Sequence, residues 1–127
     1  MCILNLTQHL ATADQIAAGV VDLEHEYHQK LQSWLTFSGL VSVDEITNRS
    51  KLIADFAHGF GYSQVMIGGA LWLMAPLTNA LYQRGITPLF AFSERETEEK
   101  SLGDGSVVKV MRFKHQGFIT AVDLLSL

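Results

Sequence analysis

Residues 64–92 read QVMIGGALWLMAPLTNALYQRGITPLFAF, and the order of elements in that stretch decides the fold. Gln64 to Ile67 is a short apolar run with the length of a buried strand, closed by Gly68 and Gly69. From about Leu71 to Arg84 the pattern predicts a helix, which Gly85 can end in the left-handed conformation. Thr87 to Phe92 is again apolar and strand-like. Strand, glycine pair, helix and strand follow without a gap, which predicts parallel strands joined by a crossover helix. Pro76 falls inside that helix and either kinks it or marks the first residue of its main part.

Working upstream, Cys2 to Leu6 is an apolar run broken only by Asn5, as expected of a strand in the middle of a sheet. Thr12 and Gln15 have capping-box spacing for a brief helix that Gly19 can close. Val20 to Leu40 is ambiguous, because Leu31, Trp34 and Leu35 have helical spacing while Trp34 to Phe37 also suits a strand. Ser42 and Glu45 form a second capping-box pair, ahead of the amphipathic stripe Ile46, Arg49, Leu52, Ile53, Phe56 and Ala57.

Downstream, Ser93 to Glu99 and Val107 to Lys114 flank Gly103, Asp104 and Gly105, a hairpin signature. If Asp104 is the centre of a three-residue loop, Glu94 faces Lys114, Glu96 faces Arg112 and Glu99 faces Lys109. Each such pair contributes a few tenths to about 1 kcal/mol. The same register sets Ser93 opposite His115, with Arg95 on their face. The expected architecture is a small Rossmann-like three-layer α/β domain, with a mainly parallel sheet and a C-terminal antiparallel hairpin.

Composition bounds the function. With 127 residues and no low-complexity boundary, residues 1–127 read as a single domain; 48% apolar and 17% charged residues suit a packed core. The formal charge is −4, with seven acids against three bases in residues 1–60. That balance argues against duplex nucleic acid or an anionic membrane as partner. Val65 to Leu77 is the longest apolar run and falls short of the roughly 20 residues a membrane helix needs. One cysteine, Cys2, and no secretory pattern at the N-terminus lead to the expectation of a cytoplasmic protein.

In open α/β sheets, ligands bind beyond the carboxyl ends of the parallel strands. That rule selects Thr7, Gln8 and His9 after the first strand, Gly68 and Gly69 after the second, and Ser93, Glu94 and Arg95 after the third. Hydroxyls, an amide, an imidazole, a guanidinium and bare backbone together suit a phosphate and its sugar or base. The plain alternatives are a polar turn at Thr7 to His9, close helix packing at the glycines, a surface ion pair at Arg95 and an edge-strand residue at His115. Neither a dinucleotide fingerprint nor a P-loop is present, so no cofactor is expected. Glu24 to His28 places two histidines three apart, one residue short of the zincin spacing, and no metal is expected either.

Residues 64–118 resemble small stand-alone CRISPR-associated proteins related to the CARF cyclic-oligonucleotide sensors, some of which are regarded as ring nucleases. The resemblance rests on Val65 to Gly68, Leu73 and Met74, Gly85 and Ile86, Pro88 to Ala91, Ser93 and Arg95. It continues through Glu98 and Glu99, Asp104 and Gly105, Val107 to Lys109, Phe113, His115 and Phe118. About half the chain is covered; Leu4 to His9 is similar more loosely. The resemblance implies a homodimer that binds cyclic oligoadenylate across its two-fold axis, with Ser93, Arg95 and His115 at matching positions. It implies metal-free cleavage, in which the ribose 2′-hydroxyl attacks in line, Arg95 holds phosphate and His9 or His115 takes the proton. A sensor or sponge that binds without cutting, or a protein-interaction domain of a defence or mobile-element locus, remains open. A concave, positively lined rim would mark a nucleotide site, and a flat or acidic one an interaction domain.

Overall fold

The computed structural model describes residues 2–120; residue 1 and residues 121–127, the two ends of the single-domain reading, lie outside the described residues. The elements run β1 (Ile3–Asn5), α1 (Ala13–Ala17), β2 (Val20–Val21), α2 (His25–Leu35), α3 (Val43–His58), β3 (Gln64–Met66), α4 (Leu71–Gln83), β4 (Thr87–Ser101) and β5 (Val107–Thr120). The five strands form one mixed sheet in the order β2-β1-β3-β4-β5. β1 pairs in parallel with β2 and with β3, β3 pairs in parallel with β4, and β4 and β5 are antiparallel.

Alternation of side chains along these short strands divides the core in two. Leu4, Val65 and Ile67 point to the face where Leu31 and Leu35 of α2, Ile53 and Ala57 of α3, and Leu73, Leu77 and Leu81 of α4 are buried. Ile3, Val20, Met66 and Leu89 belong to a smaller cluster joined by Ala11 and Phe118. Arg84 ties two helices together, its Nε donating to Asp55 Oδ1 at 2.6 Å and its Nη1 to the Ala80 carbonyl at 2.7 Å.

The helix ends follow local chemistry. Thr12 and Gln15 make the full reciprocal capping box at α1, and Gly19 takes a φ of 105° just beyond it. At α3 half of the expected box forms: the Ser42 hydroxyl accepts from the Glu45 amide at 3.1 Å, but the Glu45 carboxylate turns to Arg49 at 2.6 Å. α4 closes as a Schellman motif, with Ile86 N donating to the Leu81 carbonyl, Gly85 N donating to the Tyr82 carbonyl and Gly85 at a φ of 74°. Pro76 lies inside α4, which already begins at Leu71, so it does not mark the helix start.

One open reading is settled and one expectation is corrected. The ambiguous stretch 20–40 holds a two-residue strand, β2, and then helix α2; Trp34 lies in the last turn of the helix instead of opening a strand, and Leu31 and Leu35, one turn apart, are both buried. The strand beginning at Thr87 does not end at Phe92 but runs on to Ser101 as one arm of the hairpin. The hairpin register is as the charges predict: Glu94 opposite Lys114, Glu96 opposite Arg112, Glu99 opposite Lys109 and Ser93 opposite His115. Leu102 N donates to the Ser106 carbonyl at 2.8 Å, which leaves Gly103–Gly105 as the three-residue loop. Of the expected ion pairs, Glu96–Arg112 closes at 3.6 Å, and Arg112 also reaches Glu98 at 3.1 Å. Between Phe92–Gly117 and Ser93–His115 the register shifts by one, leaving Gln116 as an extra residue on β5.

Candidate functional site

From β1 the chain turns to one side to form β2, and β3 is added later on the other side. The sheet order therefore reverses between β1 and β3, the place where open α/β sheets leave a crevice beyond their carboxyl ends. A cavity of about 550 Å³ occupies that place, within the range of small-molecule sites. The segment after β1 supplies Thr7, Gln8, His9 and Leu10, and α1 adds Thr12 and Gln15. The segment after β3 supplies Ile67, Gly68 and Gly69, while Phe90 and Ala91 of β4 close the far side.

The loop after β1 is held from beneath by a buried amide. Asn5 accepts the Thr7 backbone N–H at 2.9 Å and the Thr7 hydroxyl at 2.7 Å through its Oδ1. Its Nδ2 donates to the His9 carbonyl and to Asp22 Oδ1, both at 2.8 Å. Asp22 in turn accepts from Ala11 N at 3.0 Å. Helix α2 grips the same loop: a His28 ring nitrogen lies 3.2 Å from the Thr7 carbonyl, and Gln32 Nε2 donates to the Gln8 carbonyl at 3.1 Å. Gln8 answers by donating to the Leu35 carbonyl at 3.3 Å. A polar group in a low-dielectric interior is tolerated when its bonds are made, and a completed network is rigid.

Asn5, Asp22, His28 and Gln32 are thus positioning residues that reading the strand ends alone does not find. Asn5 carried a signal, as the one polar residue inside an apolar strand. His28, part of the segment considered for a metal, is used to hold the loop. Among the described residues no group of three or more His, Cys, Asp or Glu side chains is placed to hold a metal ion.

The glycines differ from each other. Gly69 adopts a φ of 137°, which an L side chain rarely does, and this directs the backbone from β3 into α4. A Cβ on Gly68 would lie 3.6 Å from Thr7 Cγ2, an ordinary contact, so a methyl group fits there facing the loop after β1. α4 begins at Leu71 with no side-chain cap and no acid in its first turn. The helix start follows the glycine pair across Ala70, whose carbonyl accepts from Leu73 N at 3.0 Å.

The structure brings together Thr7, Gln8, His9, Gly68 and Gly69, and it leaves Ser93, Arg95 and His115 outside the cavity lining. The physical reason is the continuation of β4: the segment expected to be a strand-end loop is an extended arm instead. On that arm Ser93 and His115 are cross-strand partners, and the Arg95 guanidinium lies 5.7 Å from the Phe113 ring centroid. The His115 ring packs against Phe118 at 4.8 Å, and neither of its shielded ring nitrogens has a hydrogen-bond partner among the described residues. Among the described residues no Asp, Glu, Lys or Arg lines the cavity, so its concave rim has neither the positive lining of one expectation nor the flat or acidic rim of the other.

No helix among the described residues is long and apolar enough to cross a membrane. Comparison with curated proteins and with solved structures found no match. One family model matches residues 1–119, that of the uncharacterized protein MJ1673 family.

Proposed function

We propose that this chain, which belongs to the uncharacterized protein MJ1673 family, binds a phosphorylated nucleotide in the crevice between β1 and β3. The observation that carries this reading is the coincidence of the cavity with the point where strand order reverses, beside the uncapped start of α4. Backbone N–H groups at Gly69 and the first turn of α4 would meet a phosphate. Phe90 and Ile67 would lie along a base, and Thr12, Gln15 and His9 would meet sugar and base edges.

In its full form the proposal is a Rossmann-like three-layer domain related to the CARF sensors, working as a cytoplasmic homodimer on cyclic oligoadenylate within CRISPR defence. The ligand would be cut without metal: the 2′-hydroxyl loses its proton to His9 or His115 and its oxygen bonds to phosphorus. As the P–O5′ bond breaks, the histidine that took the proton gives it to the departing 5′-oxygen, leaving a 2′,3′-cyclic phosphate and a 5′-hydroxyl. In this form Ser93, Arg95 and His115 act from the hairpin across the two-fold axis, since they do not reach the cavity of their own chain.

Incubation of the purified protein with cyclic oligoadenylates of several ring sizes tests the proposal. Binding by calorimetry, with linear products that disappear in His9→Ala or His115→Ala, is the expected result. Absence of both binding and products overturns it. A second reading, a sensor or sponge that binds without cutting, is favoured by a cavity lining that holds no Arg or Lys among the described residues; binding without turnover, unchanged in both histidine variants, would select it. A protein-interaction domain without a small ligand is the outcome if no nucleotide binds.

A further inference from the structure

A second cavity, of about 260 Å³, opens at the β2 edge of the sheet and shares no lining residue with the first. Its lining combines three aromatic side chains, Tyr27 of α2 with Phe60 and Tyr62 from the segment between α3 and β3, and two carboxylates, Asp22 and Glu24. Tyr27 and Phe60 stand at right angles, with ring centroids 5.3 Å apart and planes at 86°. Tyr27 is 39% exposed, a large aromatic surface left open to solvent.

Neither Asp22 nor Glu24 makes an ion pair among the described residues. Lys30, on the same helix as Tyr27, lies over the Trp34 ring, 5.6 Å from its centroid. Asp22 is held in place through Oδ1 by Asn5 and Ala11, with no bond on Oδ2 among the described residues. Glu24 stands at the N-cap of α2 without a capping bond, so the helix does not use its carboxylate.

From this we infer that the second cavity is a binding site for an alkylated ammonium group, the head of a small quaternary-ammonium compound or of an N-methylated lysine side chain. Aromatic faces attract a cation through their quadrupole, and the carboxylates add Coulomb attraction. The apolar wall formed by Val21 suits methyl groups. The volume is below that of a site for a drug-sized ligand, which fits a head group and not a nucleotide.

Titration of the full chain with choline, followed by NMR of backbone amides, tests the site at constant ionic strength. Saturable shifts at Tyr27, Phe60, Tyr62 and Asp22 are expected, with none from sodium or from the uncharged choline isostere 3,3-dimethyl-1-butanol. Glu24→Gln, at an exposed position, should weaken choline at least fivefold while leaving the circular dichroism unchanged, and Tyr27→Leu should weaken it about tenfold or more. A parallel titration with a trimethyllysine peptide identifies the source, since the tighter of the two ligands marks a free small molecule or a protein side chain. Equal binding of the isostere, or no shift with either cation, overturns the inference.

Discussion

Over Thr87–Leu89, β4 is paired with β3 on one side and its residues are largely buried, whereas from Ser93 to Ser101 its partner is β5 and nearly every residue is exposed. The same strand is thus held in two ways. Near the core, burial of apolar area dominates, at about 25 cal/mol per Å². Along the arm, stability comes from cross-strand pairs that each contribute a few tenths to about 1 kcal/mol, and a two-stranded ribbon is marginal without support. The body fixes geometry and the arm is free to be exposed, and the larger cavity, about 550 Å³, forms where the parallel strands end, against about 230 Å³ along the hairpin.

This contrast can be broken by substitution, and the largest effect belongs to the body. Leu77→Ala, at a side chain with no exposed area, should destabilise by about 2–5 kcal/mol in urea unfolding. Phe113→Ala, at a ring 69% exposed, should cost well under that; equal losses would show the arm to be buried in an assembly. Asn5→Ala removes the buried anchor of the loop after β1 and should cost about 1–3 kcal/mol, with hydrogen exchange at Thr7 and Ala11 accelerated. Gly69→Ala should cost about 1–2 kcal/mol through its backbone conformation. Gly68→Ala should leave stability nearly unchanged and so separates ligand loss from unfolding.

On the arm the effects are small. Arg112→Ala should lower stability by less than about 1 kcal/mol, and the loss should fade with added salt, because its pairs with Glu96 and Glu98 are exposed. At the tip, the Ser106 hydroxyl and backbone N–H, both bonded to Asp104 Oδ1, hold the Asp104 carboxyl below its usual range. A depressed carboxylate contributes stability above its unfolded value, and that contribution is lost as pH falls through the folded value. Carbon-detected NMR titration should therefore place the Asp104 midpoint below that of an ordinary aspartate, and Ser106→Ala should raise it.

Much of this was legible because local chemistry and tertiary structure agree. The capping box at Thr12, the Schellman glycine Gly85 and the apolar runs at β1 and β3 each name their element without help from distant residues. The hairpin register could be read because opposite charges recur at matching distances from Asp104. β2 was hidden because two residues carry no period, and its pairing with β1 is settled by the sheet instead. The continuation of β4 past Phe92 was hidden because exposed Glu and Thr residues look like the end of a buried strand when no partner is known. For the candidate site, two of three strand ends were found from position alone. The network that holds them was not, since Asn5, Asp22 and His28 meet only after β2 and α2 are folded against β1.

The unpaired Gln116 has a geometric consequence for everything beyond it on β5. Side chains alternate from one face to the other, so a single supernumerary residue inverts the phase of the strand. Phe118 pairs with Ala91, His115 with Ser93 and Phe113 with Arg95, and because these three β4 positions alternate in step, both phenylalanines and the imidazole fall on one side. That is how His115 comes to stack beside Phe118, three positions away, where an unbroken strand would have set them back to back. The bulge thereby decides which face of the ribbon carries the rings: with Gln116 paired to Ser93 instead, every residue of the β5 arm would turn to the opposite face.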